Sequence, residues 1–205
     1  MYALNTTAAR QAEQRGGRVT EIGKYLGRFS RAEDMTSQKG TRGIDFQFET
    51  HDKQSAYFTI WTINAEGKEL YGFKHLQALM TCLGLRNIKP GQQIVKKYDR
   101  DAEEMQDVMA NVFPDLMDRD IGILFETEDY EKKDGTVGTR VVPAFFFQAD
   151  TELVASEILD RRTQPLKLAG LVQQLKHRPL KATANRSASQ HAGGGFDATD
   201  DDIPF

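Results

Sequence analysis

The chain has 205 residues, 39% hydrophobic and 28% charged, with a single cysteine and a formal net charge of −3 at pH 7. That length and apolar content suffice for one fair-sized domain with its own core, and a lone cysteine excludes both a disulfide framework and a cysteine-based zinc site. No stretch approaches the roughly 18 apolar residues of a membrane span and Met1 to Arg18 holds no apolar leader, which predicts a soluble, non-secreted protein. Cys82, inside the apolar run Leu79-Met80-Thr81-Cys82-Leu83, is expected to be a buried thiol in a reducing compartment.

Residues 1–16 read as a flexible N-terminal arm ahead of a body spanning 17–178. From Thr20 the chain alternates, with Ile22, Lys24, Leu26 and Arg28 on one set and Gly23, Tyr25, Gly27 and Phe29 on the other, which fits a long strand bent at its glycines. A polar loop is expected from Arg31 to Arg42. Ile44, Phe46 and Phe48 then alternate with Asp45, Gln47 and Glu49 in a half-buried strand, and Ala56 to Asn64 sets Phe58 and Ile60 against Tyr57, Thr59 and Trp61 before an Asn64-Ala65-Glu66-Gly67 turn.

Leu70 to Leu83 places Phe73, Leu76, Leu79, Met80 and Leu83 at helical spacing and ends before Gly84. Asp101 to Phe113 is predicted as a second helix, with Asp101, Glu103 and Glu104 favouring its N-terminus. Ile121 to Tyr130 and Thr139 to Phe147 form a hairpin around Lys132-Lys133-Asp134-Gly135. Thr151 to Leu159 and Pro165 to Lys176 are read as helical, the latter through Leu168, Leu171, Val172 and Leu175. Three strands, a helix and a closing hairpin fit a mainly β, α+β fold: a partly open five-stranded barrel of the oligonucleotide-binding (OB) kind with helical insertions, although other α+β arrangements give the same order.

Residues 179–196 form a linker, because Thr183 to Gly195 is rich in Ala, Ser, Gln and Gly and has no apolar period. As a disordered tether, Pro179 to Thr199 would span about 25 Å r.m.s.. The tip, 197–205, runs three carboxylates into an apolar end, Asp200-Asp201-Asp202-Ile203-Pro204-Phe205. Phe205 offers a ring and a terminal carboxylate together, which an apolar pocket rimmed by Arg or Lys can hold while the aspartates steer the approach.

This tip resembles that of the bacterial single-stranded DNA-binding proteins, whose acidic tails end in a closely similar Asp-Asp-Ile-Pro-Phe peptide. The resemblance covers Asp197 to Phe205, and the divergence of the preceding body suggests a phage-encoded member carrying a host-compatible tail. It implies an OB-like domain that coats and protects single-stranded DNA without sequence specificity. It further implies that host or phage replication, recombination and repair proteins dock on Asp200, Asp201, Asp202, Ile203, Pro204 and Phe205. The implied setting is the bacterial cytoplasm, at the nucleoid, with no membrane, cofactor or metal and no enzymatic activity. The family includes homo-oligomers, and the sequence leaves the oligomeric state open.

Charge is unevenly spread, as a phosphate-binding face requires. Met1 to Arg31 carries six Arg or Lys against Glu13 and Glu21, whereas Asp99 to Asp134 carries 13 acids against Arg100, Arg119, Lys132 and Lys133; Asp160 to Lys181 is basic again. A strand-binding surface needs cations for phosphates and exposed rings for bases. The candidates are Lys24 and Arg28 on the first strand, Lys39 and Arg42 in the next loop, Tyr57 and Trp61 opposite Phe58 and Ile60, and Lys132, Lys133 and Arg140 on the hairpin.

Other chemistry has less behind it. His51, His75, His177 and His191 are scattered without ligand spacing, no phosphate-cradling or nucleophile-elbow motif is present, and the terminal aspartates offer no fixed octahedral site. One enzymatic alternative starts from Pro114-Asp115 and Glu131-Lys132-Lys133, which resemble the Pro-Asp and Glu-x-Lys elements of Mg²⁺-dependent restriction-like nucleases. A third reading is a recombination mediator or adaptor that carries the tail and binds DNA weakly.

Overall fold

The computed structural model describes residues 16–99, 104–132 and 134–180; residues 1–15 of the expected arm, most of the linker and the whole tip lie outside them. The chain order is β1 (Gly17–Arg18), β2 (Gly23–Thr36), β3 (Arg42–Thr50), β4 (Gln54–Ile63), α1 (Tyr71–Cys82), β5 (Gly91–Asp99), β6 (Glu104–Val112), a 3-10 turn (Pro114–Leu116), β7 (Asp120–Glu131), β8 (Val137–Gln148), α2 (Ala155–Leu159), α3 (Leu168–Gln174) and β9 (His177–Arg178). The fold is mainly β, a curled sheet that stays half open as a barrel.

The curl follows from β2, which pairs antiparallel with β3 over its C-terminal two thirds. On its other side Gly23 to Arg28 pairs with β7, and farther along Glu33 pairs with Val112 of β6. A strand that changes partner partway must bend, and a register shift between Phe29 and Arg31 marks the place. Gly27 lies just before it, where any Cβ would run into the backbone carbonyl of Glu49.

The core is aromatic. Phe29, Phe46, Phe48, Phe58 and Phe125 meet around the curl, the Phe46 and Phe58 rings stacking at 5.4 Å between centroids. Helix α1 buries Leu76, Leu79, Met80 and Cys82 and packs on both β4 and β8, two strands that share no ladder, so it covers the seam where the barrel is open. Burial pushes the Cys82 thiol up to about 12, the backbone bond from Ala155 offsetting little of it, so at neutral pH it is a protonated apolar filler.

Every residue of β7 from Ile121 to Thr127 is buried. Ile121, Ile123 and Phe125 face the aromatic core, while Leu124 joins Phe147, Val154 and Leu168 under the C-terminal helices. Burial on both faces explains its near-continuous apolar run.

The five expected strands and the Leu70 to Leu83 helix are present, but three expectations are corrected. The helix expected over Asp101 to Phe113 is absent from the described part of that span: β6 pairs along its whole length with β5, a strand not expected at all. The i, i+3, i+4 spacing of Met105, Val108, Met109 and Val112 is real, but β5 satisfies the backbone and the buried Val95, Ala110 and Val112 pack together. The Arg31 to Arg42 loop is strand as far as Thr36, with Arg31 and Glu33 on the outer face of β2 opposite Gln47 and Asp45. The two C-terminal helices are shorter than expected, Ala155–Leu159 and Leu168–Gln174.

Glu157 fastens this C-terminal segment. Its carboxylate is 2% exposed and accepts backbone N–H bonds from Leu166 at 2.7 Å, Lys167 at 3.0 Å and Val154 at 3.1 Å. Burial raises its pKa, but the Leu166, Val154 and Lys167 N–H groups and the Lys167 charge together outweigh it and hold the carboxyl below its ordinary value. A depressed folded pKa contributes stability above the ordinary carboxyl pKa of about 4.3 and loses it as pH falls through the folded value. Glu157→Gln is therefore expected to lower stability by about 2 kcal/mol at neutral pH. Denaturant titrations across pH 7 to 3 check this: the gap to wild type narrows below about pH 4, and a gap constant with pH refutes the linkage.

Candidate nucleic-acid interface

Strand β4 buries Ala56, Phe58, Ile60 and Thr62, so Tyr57, Thr59 and Trp61 point to its outer face. Tyr57 is 46% exposed and Trp61 half-buried. Across the ladder Tyr57 faces Gln47, Thr59 faces Asp45 and Trp61 faces Gly43. Glycine is required opposite Trp61, since a Cβ there would meet the Ile60 carbonyl oxygen at 2.6 Å and an indole carbon at 2.8 Å; the ring lies against bare backbone. Four residues of strand put the two rings about 13 Å apart.

Between the rings the surface is electrically balanced. Asp45 accepts from the Thr59 hydroxyl at 2.9 Å and from Arg31 at 2.6 Å, and Glu33 takes Lys97 at 2.6 Å, with Arg31 3.8 Å away. The Arg31, Asp45 and Glu33 side chains are only 14%, 22% and 15% exposed, so this network holds the face rigid more than it attracts anions.

Cations lie at the two ends of the stripe. At the Tyr57 end β1 pairs parallel with β4, Arg18 opposite Ser55, and the Arg18 guanidinium stands 5.3 Å from the Tyr57 ring centroid. At the Trp61 end Lys39 and Arg42 are exposed in and beside the β2–β3 turn, which touches the β4–α1 turn where Gly40 meets Ala65. Of the predicted residues, Tyr57, Trp61, Lys39 and Arg42 thus share one region. Arg18 was not anticipated: its only sequence signal is the basic N-terminal stretch, and its position depends on the non-local β1–β4 pairing.

The other predicted cations lie elsewhere. Lys24 is held by Glu152 at 2.6 Å and lies 5.9 Å from the Phe147 ring, fastening β2 to the C-terminal segment. Arg28 shares the outer face beyond Glu49 but pairs with Asp120 at 3.3 Å, a carboxylate also 3.2 Å from His51. On the β7–β8 hairpin Lys132 is exposed at the turn, while Arg140 binds Glu128 at 2.8 Å and lies 5.4 Å from the Tyr130 ring. Lys133 and the tip residues Asp200 to Phe205 lie outside the described residues.

The three described histidines do not assemble, and His191 lies outside the described residues. His51 meets Asp120, His177 meets Thr127 and Asp129, and His75 sits against Tyr71 and Phe146, its pKa lowered by burial and by the Arg178 charge. Among the described residues no three metal-ligating groups lie together.

Because Trp61 is the only tryptophan, its emission reports directly on this seat. Gly43→Ala presses on both the Ile60 carbonyl and the indole, and is expected to cost about 1–3 kcal/mol of stability and to red-shift emission as the ring moves outwards; unchanged emission refutes the seat. No protein-family model matches the chain, and no curated protein matches its sequence.

Proposed function

We propose that the chain is a non-catalytic single-stranded DNA-binding protein, with an OB-like barrel that coats the strand and a terminal peptide that recruits DNA-processing enzymes. The observation that carries this is the outer face of β4: two rings on one stripe, Trp61 on a glycine seat and Tyr57 under Arg18, with Lys39 and Arg42 beyond. Rings take bases whatever their identity, and cations at the ends take phosphates, which is the chemistry of sequence-tolerant strand binding.

Strand connectivity supports the same reading. The β2–β3–β4 meander, a helix, then β7 returning to β2 and β8 to β7, follows the order of an OB barrel with the β5–β6 hairpin inserted. In such barrels the second and third strands and the loops after the first and fourth bind oligonucleotides. Here those are β3 and β4, the turn holding Lys39 and the turn holding Lys132.

The nuclease reading fares worse, since Asp115 precedes β7 and Glu131 ends it, about 36 Å along the strand. Asp115 instead accepts the Lys89 N–H at 3.2 Å.

Binding of oligo-dT is expected to quench Trp61 emission, and Trp61→Ala and Tyr57→Ala are each expected to weaken binding by about 1–3 kcal/mol. With Arg18, Lys39 and Arg42 as the phosphate contacts, log affinity falls against log salt with a slope of about −2. A titration against matched single-stranded and duplex DNA, with and without Mg²⁺, checks the reading. Equal affinity for both, or Mg²⁺-dependent cleavage, rejects it.

Recruitment is separable from binding. Removing Asp197 to Phe205 is expected to abolish capture of DNA-processing enzymes in a pull-down and to leave strand affinity equal or higher, because the acidic tip competes with phosphate. Undiminished capture by the shortened protein overturns the role of the tip.

A further inference from the structure

A row of paired residues crosses the outer face of the sheet. Thr59 of β4 opposes Asp45 of β3, Asp45 opposes Glu33 of β2, Glu33 opposes Val112 of β6, and Val112 opposes Gly91 of β5. Directly opposed residues project to the same side, so Val112 stands on the face that carries Tyr57 and Trp61. That face continues past β2 onto the β5–β6 arm, three strand spacings or about 14 Å from β4.

The two sides of the arm differ. Val112, Ala110 and Val95 share the side of Glu33 and are 0%, 8% and 6% exposed, whereas Ile94 and Met109 on the opposite side are 66% and 60% exposed. A two-stranded ribbon standing free in water would wet both sides, so one side of this ribbon is turned onto the molecule.

Lys97 shows where it turns. It lies opposite Gln106, six residues out from Val112, and a straight ribbon would carry it about 20 Å past Glu33. Its ammonium is instead 2.6 Å from the Glu33 carboxylate. The arm therefore coils back over the outer face, and this ion pair is a strut between the two. Arg31, between Glu33 and Asp45, completes the floor beneath it. The outer face is then a trough, with the rings of β4 along one side and the inner side of the arm along the other, where Val108 is 37% exposed.

We propose that the β5–β6 arm is the second wall of the strand-binding groove: the bound strand lies between Val108 and the Tyr57–Trp61 stripe, and Lys97 is a positioning residue that holds the wall over the floor. This rests on the strand-binding reading and gives the arm its part in it. A strand stacked on the rings of an open sheet can leave sideways. One confined by a wall has to slide out lengthwise or wait for the arm to lift, so the wall acts on release more than on capture.

Thiol labelling of the full chain tests the placement. Neighbouring residues of β6 point to opposite sides, so Val108→Cys puts a thiol inside the trough and Met109→Cys puts one outside it, while the buried, protonated Cys82 adds little background. Saturating oligo-dT is expected to slow maleimide labelling at position 108 by about tenfold or more and to leave position 109 unchanged. Equal labelling at the two positions with oligo-dT bound overturns the wall and leaves the strand-binding reading standing; an oligo-dT that does not bind overturns both. Lys97→Met keeps the apolar stem and removes the strut, so oligo-dT is expected to leave about tenfold faster, with the salt dependence of affinity unchanged and slow release restored by Lys97→Arg. Wild-type release from Lys97→Met overturns the strut, and so does a salt slope shallower by about one, which makes Lys97 a phosphate contact.

Discussion

The change of partner along β2 is the constraint on which the rest of the molecule depends. Successive residues of a strand face opposite sides, so one extra residue exchanges the two faces for everything beyond it. The irregularity between Phe29 and Arg31 does this: Phe29 opposes Phe48 inside the barrel, and Arg28 and Arg31 both lie outside, against Glu49 and Gln47. Without it Arg31 and Glu33 would point into a phenylalanine core. With it they meet Asp45 on the face that carries Tyr57 and Trp61, so the bend that curls the sheet also completes the floor of the candidate site.

That arrangement separates what a reader of the sequence can find from what folding adds. β3 and β4 are legible because one face is dry and the other wet, and Ile44, Phe46 and Phe48 against Asp45, Gln47 and Glu49 spell out that difference. The outward direction of Tyr57 and Trp61 follows from the same alternation. The β5–β6 hairpin is not legible, because its outer face leaves Ile94 and Met109 exposed and its apolar residues happen to fall at helical spacing. Long-range partners are hidden as well: Lys24 and Arg28 look like free cations, yet the carboxylates that hold them are 128 and 92 residues away.

Net charge is a poor guide to such a surface. Several described cations are neutralised one by one: Lys24 by Glu152, Arg31 by Asp45, Lys97 by Glu33, Arg140 by Glu128 and Arg178 by Glu126. Several of these pairs tie distant segments together, β2 to the C-terminal segment and β7 to β9, so the same residue types that would attract phosphate here maintain the fold. Arg178 illustrates this, since the Glu126 carboxylate it meets at 2.6 Å is 7% exposed and would be left buried and unpaired without it.

The surface around β4 differs in kind. Its centre is a balanced ion network with little exposure, and its rings sit at either side, one on bare glycine backbone and one beneath a guanidinium. On the proposed reading, attraction at long range is weak and most of the binding energy comes at contact, from flat rings about 13 Å apart. A duplex keeps its bases stacked inside and offers such rings only its phosphates, whereas an unpaired strand can turn bases outwards onto both. Discrimination then arises from which nucleic acid can present its bases, and the chain needs no overall positive charge to achieve it.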